Sequence, residues 1–189
     1  MIGNIVGPFQ GPWAYLSNFY ERKFVHTVNP ELEIEVPTSE HAYQFEKFER
    51  LEDTWPILDL KTPGQAKRYA SKHKDKHKPG FHDTKIEIME RIIHEKFAQN
   101  YDLSEKLINT FPDVIMEYNK WHDNFWGICT CPQCINIEGQ NNLGLILIRV
   151  REFRREEKMK RLGEALKLAI RVQGYMPEWR AAGMFKLEP

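Results

Sequence analysis

Three polar side chains recur at helical spacing near the start of the chain: Glu40, Gln44 and Lys47. If this segment is helical they fall on one stripe, because seven residues at 3.6 per turn return to nearly the same azimuth. Phe45 and Phe48 then point to the opposite side, where a core would take them. A carboxylate, an amide and an amine along one wall of a cleft could supply a proton donor, an orienting group and a nucleophile, as in a hydrolase. The competing interpretation is a surface helix whose Glu40 and Lys47 are solvated.

The flanking elements predict a mixed α+β fold that is mainly helical. Pro37, followed by Thr38 or Ser39, is a plausible entry and cap for the helix that carries Glu40. A small hairpin is predicted from Phe24-Val25-His26 and Ile34-Glu35-Val36, with Asn29-Pro30 in its turn. A longer helix is predicted over residues 83–100, where apolar residues repeat at three- and four-residue steps: Ile86, Met89, Ile93 and Phe97.

Composition sets broad limits on the class of protein. The chain has 189 residues, 41% of them hydrophobic, which suits one domain with an appendage. Basic and acidic residues balance at 27 each, so bulk charge gives no argument for nucleic acid. A local excess of lysine and histidine between Lys61 and His82 is suited to phosphate, although such a run is usually a solvated surface. No apolar run reaches transmembrane length and no signal pattern opens the chain, so we expect a soluble, cytoplasmic protein without a membrane partner.

Separated motifs in a fixed order suggest a family. They are Leu16-Ser17-Asn18-Phe19, Pro37-Thr38-Ser39-Glu40-His41 with Lys47-Phe48, Lys96-Phe97, Asp123-Asn124-Phe125-Trp126-Gly127, and Asn141-Asn142-Leu143-Gly144. Together they resemble the NADAR or YbiA-like family over roughly residues 8–153. The resemblance implies a compact helical domain at residues 1–153, with a small β element near the N-terminus, and a helical extension at 154–189. It also favours a helix over residues 143–153, where the run Leu145 to Val150 is rich in β-formers.

The family acts on N-glycosidic bonds of ribosylated bases, and the resemblance implies this chemistry here. It implies catalytic roles for Glu40, Lys47 and Asp123. The substrate-binding residues implied are Asn18, Phe19, Gln44, Phe125, Trp126, Gly127, Asn142 and Gly144. Our prediction is removal of ADP-ribose from guanine in nucleic acid, with no cofactor and with an ADP-ribosylated guanine nucleotide or nucleic acid, or ADP-ribose itself, as the partner. The alternatives are hydrolysis of N-glycosidic intermediates of riboflavin synthesis and a catalytically silent module that binds ADP-ribose.

Two departures from the family pattern matter. Ile128 stands where family members carry an Asp directly after Trp-Gly, so that role could pass to Asp123 or the activity could be altered. Phe81 stands where the family has a Trp before the long middle helix, which keeps a ring but loses the indole donor.

All three cysteines lie together, as Cys129-Thr130-Cys131-Pro132-Gln133-Cys134. The simplest interpretation is reduced, unligated thiols in a cytoplasmic chain. The alternative is a zinc site of the Cys₃His type completed by His122, although the C-x-C-x₂-C spacing is not a standard knuckle. From its position we also expect this insertion to form a loop at the rim of the cleft.

Overall fold

The structure is a computed structural model that describes residues 4–181, with side chains through residue 171. Its α-helices are α1 Ser39–Phe45, α2 Leu51–Leu58, α3 Pro63–Lys72, α4 Phe81–Gln99, α5 Tyr101–Ile108 and α6 Asn142–Ala181, with 3₁₀ turns at Gly11–Leu16 and Lys74–Lys76. Its strands are β1 Ile5–Val6, β2 Phe24–Asn29, β3 Leu32–Val36, β4 Val114–Ile115, β5 Tyr118–Asn119 and β6 Ile128–Cys129. The fold is therefore mixed α+β and mainly helical, as predicted.

The strands form three separate pairs. The predicted hairpin is present, with β2 antiparallel to β3 and Phe24 opposite Val36. Two short parallel pairs, β1 with β4 and β5 with β6, were not predicted. Two-residue strands carry no alternating pattern that a sequence could display.

Helix α1 is shorter and far more buried than a surface helix. Thr38 caps it, since its side chain accepts a hydrogen bond from the His41 amide at 3.2 Å. All seven residues of α1 are buried, because the helix packs against α2, α3 and α4. The interpretation of an exposed amphipathic helix is wrong. Lys47 lies beyond the end of α1, in a turn that its amide closes onto the Gln44 carbonyl at 3.3 Å.

The main core gathers side chains from α1, α4 and the first turns of α6. Met89, Ile93 and Phe97 of α4 are fully buried as predicted, but Ile86 is 36% exposed, so that position was misassigned. The ambiguous segment after residue 143 is helical. Its buried residues recur at helical spacing, as Leu143, Ile146, Leu147 and Val150.

The chain divides into two units, Met1–Glu152 and Phe153–Pro189. Residues 153–181 continue α6, and residues 182–189 of the predicted extension lie outside the described part. The division into domains at 153 stays a prediction. None of the helices in residues 4–181 has the length and apolar character of a membrane span.

Candidate active site

A cavity of about 550 Å³ opens in the first unit, a volume that suits a small organic ligand. Segments far apart in the chain contribute its walls. Seven of the predicted site residues line it: Asn18, Phe19, Glu40, Gln44, Lys47, Asp123 and Trp126. The fold thus brings together the three predicted catalytic side chains.

Glu40 supplies a buried carboxyl group to the cavity, with only 6% of its surface exposed. Gln44, one turn later on α1, donates to Glu40 Oε1 from Nε2 at 2.7 Å. Burial raises the pKa of Glu40 above its usual value, and Asp123 adds to this, while Lys67, Gln44 and Lys47 oppose it. A carboxyl group with a raised pKa can hold a proton near neutral pH and deliver it to a leaving group.

Lys47 supplies an amine whose pKa is lowered to about 8. Burial is the main cause, because a charged ammonium loses hydration there, and the positive charges of Lys67 and Lys74 add to it. The Nζ atom lies 5.0 Å from the ring centre of Tyr43 and 5.9 Å from that of Phe81. Phe81, the family's Trp position, therefore still places a ring beside this amine.

Asp123 is held by a tight turn of the loop between β5 and β6. Its Oδ1 accepts from the backbone N–H groups of Phe125 at 3.1 Å and Trp126 at 2.8 Å. The side chain of Asn119 braces the same turn, donating to the Asp123 carbonyl at 2.6 Å. Asp123 lines the cavity, whereas Ile128 is absent from its lining and its amide donates to the Glu117 carbonyl at 2.7 Å in the β5–β6 region.

Glu117 is a cavity residue that the sequence analysis missed. Burial raises its pKa to about 7, and the nearby carboxylates of Asp123 and Glu40 contribute while Lys67 opposes. Besides Glu40, the site therefore contains a carboxyl group, Glu117, that can change protonation near neutral pH. No motif marks Glu117, because its burial arises only when the loops fold together.

Three buried acceptor atoms in the cavity wall have no hydrogen-bond partner within the described protein: Asn18 Oδ1, Gln44 Oε1 and Glu117 Oε2. Unsatisfied buried acceptors are costly, so native structures rarely retain them without a reason. The Gln44 orientation is fixed by its donation to Glu40. The cavity therefore offers acceptors to N–H or O–H donors of a ligand.

Aromatic rings form much of the remaining wall. Trp126 meets Tyr43 edge to face at 5.6 Å between ring centres. Phe9, Tyr118 and Trp121 also line the cavity and were not predicted. Such faces can stack on a planar base and exclude water.

Four predicted binding residues are not in the cavity lining and have structural contacts instead. Asn142 donates to the Phe125 carbonyl at 2.8 Å, and the Phe125 ring lies under Lys85 Nζ at 3.4 Å. A Cβ at Gly127 would stand 2.3 Å from the Glu117 carbonyl oxygen, and one at Gly144 2.4 Å from that of Ile115. These positions need glycine because another backbone segment packs against them. Direct contact of these four residues with substrate stays a prediction, since these contacts show only that they support the wall of the cavity.

The basic segment between Lys61 and His82 contributes one lysine to the cavity lining, Lys67. Two others are paired, Lys76 with Asp53 at 2.6 Å and Lys78 with Glu46 at 3.1 Å. As a phosphate surface the segment is therefore weaker than its sequence indicates. The motif residue Lys96 is buried and donates to the Tyr15 and Ser17 carbonyls at 2.8 and 3.0 Å, a structural role.

The segment of residues 122–134, which we call the cysteine loop, brings its four candidate ligands together beside the cavity. One ligand atom from each of His122, Cys129, Cys131 and Cys134 lies within 4.8 Å of all the others. The unusual spacing therefore does not prevent a compact cluster.

Comparisons with known proteins find a family model, relatives and a solved structure that are similar to this chain. The NADAR domain model matches residues 7–155. A riboflavin biosynthesis protein of Vibrio vulnificus is 33% identical over 116 residues, which cover 61% of this chain but only 30% of that protein. An N-glycosidase of Nostoc punctiforme is 31% identical over 118 residues, covering 61% of this chain and 72% of the other. The NMR structure of the E. coli protein YbiA matches with a TM-score of 0.69 at 24% identity, over 84% of this chain and 89% of that one, and shows the same fold.

Proposed function

The chain belongs to the NADAR family, and from that membership and the cavity we propose that it is an N-glycosidase acting on ribosylated bases. The observation that carries the proposal is the convergence of Glu40, Lys47 and Asp123 on one cavity with an aromatic wall. The name of the Nostoc relative, an N-glycosidase, supports the same chemistry.

Glu40 is the proton donor in this proposal. Breaking an N-glycosidic bond leaves electrons on the base and positive charge at the anomeric carbon, so protonation of the base lowers the barrier. The raised pKa of Glu40 keeps a protonated fraction available, and Gln44 fixes the orientation of the carboxyl group. Asp123 helps to raise the pKa of Glu40, and Asp123 and Glu40 both help to raise that of Glu117. Asp123 and Glu117 can stabilise the cationic sugar when ionised.

Lys47 has two candidate roles. One is a phosphate contact. The other is a nucleophile: its neutral amine displaces the protonated base from C1, ring opening gives a Schiff base with the open form of the ribose, and water then hydrolyses that Schiff base to release the sugar and restore the lysine. Its pKa of about 8 leaves roughly a tenth of the amine neutral at pH 7, which supports the nucleophile. Its position beside the rings of Tyr43 and Phe81, where it is partly shielded from water, supports the same role. Lys67 then remains for a phosphate group.

The finer proposal is that the substrate is an ADP-ribosylated guanine. Asn18, Gln44 and Glu117 leave acceptor atoms free in the cavity, and guanine is a planar base that carries N–H donors. Stacking on Trp126 would add affinity for any base. Lys67 gives the same cavity a cation suited to a phosphate of the ADP-ribosyl group.

A second candidate has its own support. The Vibrio relative is named for riboflavin biosynthesis, which favours N-glycosidic intermediates of that pathway as substrates. The chain spans 30% of that protein, so the name describes a much longer polypeptide. A silent ADP-ribose-binding module is favoured only by Ile128 at the family's Asp position.

One experiment separates these candidates. The protein is incubated with an oligonucleotide that carries ADP-ribosylated guanine and, separately, with the riboflavin intermediate, and released base and sugar are quantified by mass spectrometry. We expect turnover of the guanine substrate at a higher kcat/KM. Faster turnover of the riboflavin intermediate would replace the finer proposal, and ADP-ribose binding in calorimetry without turnover of either would leave a binding module.

A further inference from the structure

The cysteine loop forms a cluster of a kind that ordinary core packing does not explain. Cys129, Cys131 and Cys134 are buried and none forms a disulfide. Among the described residues these three form a buried cluster by themselves, without an aliphatic neighbour in it. A cysteine that serves as a small apolar side chain packs among carbon atoms instead.

The imidazole of His122 completes a four-atom set. Its Nδ1 lies 3.3 Å from Cys131 Sγ and 3.3 Å from Cys134 Sγ. Zinc binds thiolate sulfur at about 2.3 Å and imidazole nitrogen at about 2.0–2.1 Å, so tetrahedral ligand atoms stand roughly 3.4–3.8 Å apart. The two nitrogen–sulfur distances are close to this range, and all four ligand atoms lie within 4.8 Å of one another, so a contraction of about 1 Å at most in the longest pair would enclose one ion.

We infer that His122, Cys129, Cys131 and Cys134 bind a single zinc ion. Thiolate-rich tetrahedral sets with one imidazole favour zinc over magnesium or calcium, which prefer oxygen ligands. Four protein ligands leave no open coordination position, so the ion is structural and takes no part in the reaction.

The backbone around the cluster is arranged for metal ligation. Cys131 and Cys134 have the C-x₂-C spacing of many zinc sites and are joined by a turn in which the Cys134 amide donates to the Cys131 carbonyl at 3.0 Å. The His122 amide donates to Cys129 Sγ at 3.3 Å, as expected of an outer contact that orients a thiolate ligand. Cys129 lies at the end of β6, where pairing with Asn119 of β5 fixes its backbone.

His122 itself has a backbone φ of +66°, a left-handed conformation uncommon for a residue with a side chain. Such conformations cost free energy and persist where the surroundings enforce them, often at functional positions. The conformation directs the imidazole toward the sulfurs while its two neighbours in the chain, Trp121 and Asp123, both line the cavity. Zinc at this site would therefore hold one wall of the cavity in place.

The inference is tested on the full chain, without reference to its catalytic activity. Protein produced in zinc-supplemented medium is analysed for zinc, iron and copper, and metal-free protein is titrated with Co²⁺ as a spectroscopic probe. We expect about one zinc per chain and, with cobalt, the intense visible bands and sulfur charge-transfer absorption of tetrahedral thiolate ligation. Removal of zinc by a chelator should lower the melting temperature.

Ligand variants assign the metal to these residues. Cys131→Ser combined with Cys134→Ser should weaken zinc binding by at least about a hundredfold, whereas His82→Asn, an exposed histidine elsewhere, should retain full stoichiometry. His122→Asn should weaken binding while preserving all three thiols.

Several results would overturn the inference. Wild-type protein that contains essentially no zinc and gives no tetrahedral cobalt spectrum has unligated thiols. Iron or copper in place of zinc contradicts the metal assignment. Undiminished zinc in the double cysteine variant means that the metal binds elsewhere, and the cobalt titration of wild type decides the question even where that variant does not fold.

Discussion

Replacing Glu117 by Gln should stabilise the protein above neutral pH, because the fold holds this carboxyl group where its ionised form is disfavoured. Its pKa rises from 4.5 to about 7, mainly through burial. That difference corresponds to roughly 3 kcal/mol of unfavourable ionisation, and water in the cavity reduces the measurable effect to about 1–3 kcal/mol. Gln is isosteric, so packing should be retained.

The sign of the pH dependence follows from the raised pKa. Well below pH 4.5 the group is protonated in both the folded and unfolded states and costs nothing. As pH rises from 4.5 to about 7, the unfolded chain releases the proton while the folded chain keeps it, so wild type loses stability; above about 7 the loss is constant. The Glu117→Gln variant should therefore gain most at pH 8 and little at pH 5.

Urea denaturation at pH 5, 6, 7 and 8 measures this difference as the free energy of unfolding. Glu87→Gln, an exposed position on α4, is the matched control and should leave the wild-type profile unchanged. If Glu117→Gln is no more stable than wild type at pH 8, or if its gain is the same at every pH, the carboxyl group is solvated or paired and the proposed electrostatics of the cavity are wrong.

Three further predictions concern the cavity. Lys47→Arg keeps the positive charge but lacks the amine, so the variant should lose nearly all activity if Lys47 forms a Schiff base. Borohydride added to wild type during turnover should then trap an adduct at Lys47. An active arginine variant, with no adduct in wild type, would leave only a phosphate contact for Lys47. Trp126→Ala should weaken ADP-ribose binding by roughly 1–3 kcal/mol, and Trp126→Phe should recover part of that affinity. Calorimetry measures the affinity and thermal denaturation measures the stability of both variants. If Trp126 instead serves the core, the alanine variant loses stability without a selective loss of affinity. Lys67 lowers the pKa of Glu40, so Lys67→Gln should raise that pKa and should also reduce affinity for a phosphate-bearing ligand. Lys72 is exposed, and Lys72→Gln should change neither property. Equal effects of the two substitutions on the pH–rate profile would argue against a specific role for Lys67.

Local signals in the sequence were sufficient for some elements. The hairpin of β2 and β3 and the helix α4 follow from short-range patterns, and Pro37 followed by Thr38 or Ser39 predicts the start of α1, where Thr38 is the cap. The end of α1 was not predictable, because residues 46–48 are turned by contacts with the distant segment around residues 76–78. Lys47 reaches the cavity from that turn and not from a helix.

The sequence predicts those residues of the cavity lining that belong to motifs, and it does not predict those whose place there depends on burial. Glu40 and Asp123 belong to motifs, and both line the cavity. Glu117 lies in no motif, and its chemistry depends on a cavity that is lined by several separate segments of the chain. Gly144 shows another limit of motifs, since close backbone packing is by itself a sufficient reason for a glycine at that position. The cysteine cluster likewise depends on the pairing of β5 with β6, which two-residue strands do not reveal.

If this cavity breaks an N-glycosidic bond with Glu40 as the proton donor, the initial rate of base release must differ between wild type and Glu40→Gln. Both proteins are measured on the same ribosylated-base substrate, with melting temperature and substrate binding recorded to show that the variant is folded and competent to bind. Because a carboxamide cannot transfer the proton, we expect kcat to fall by about a hundredfold or more while binding persists. Base release by the folded Glu40→Gln protein at the wild-type rate would contradict this expectation.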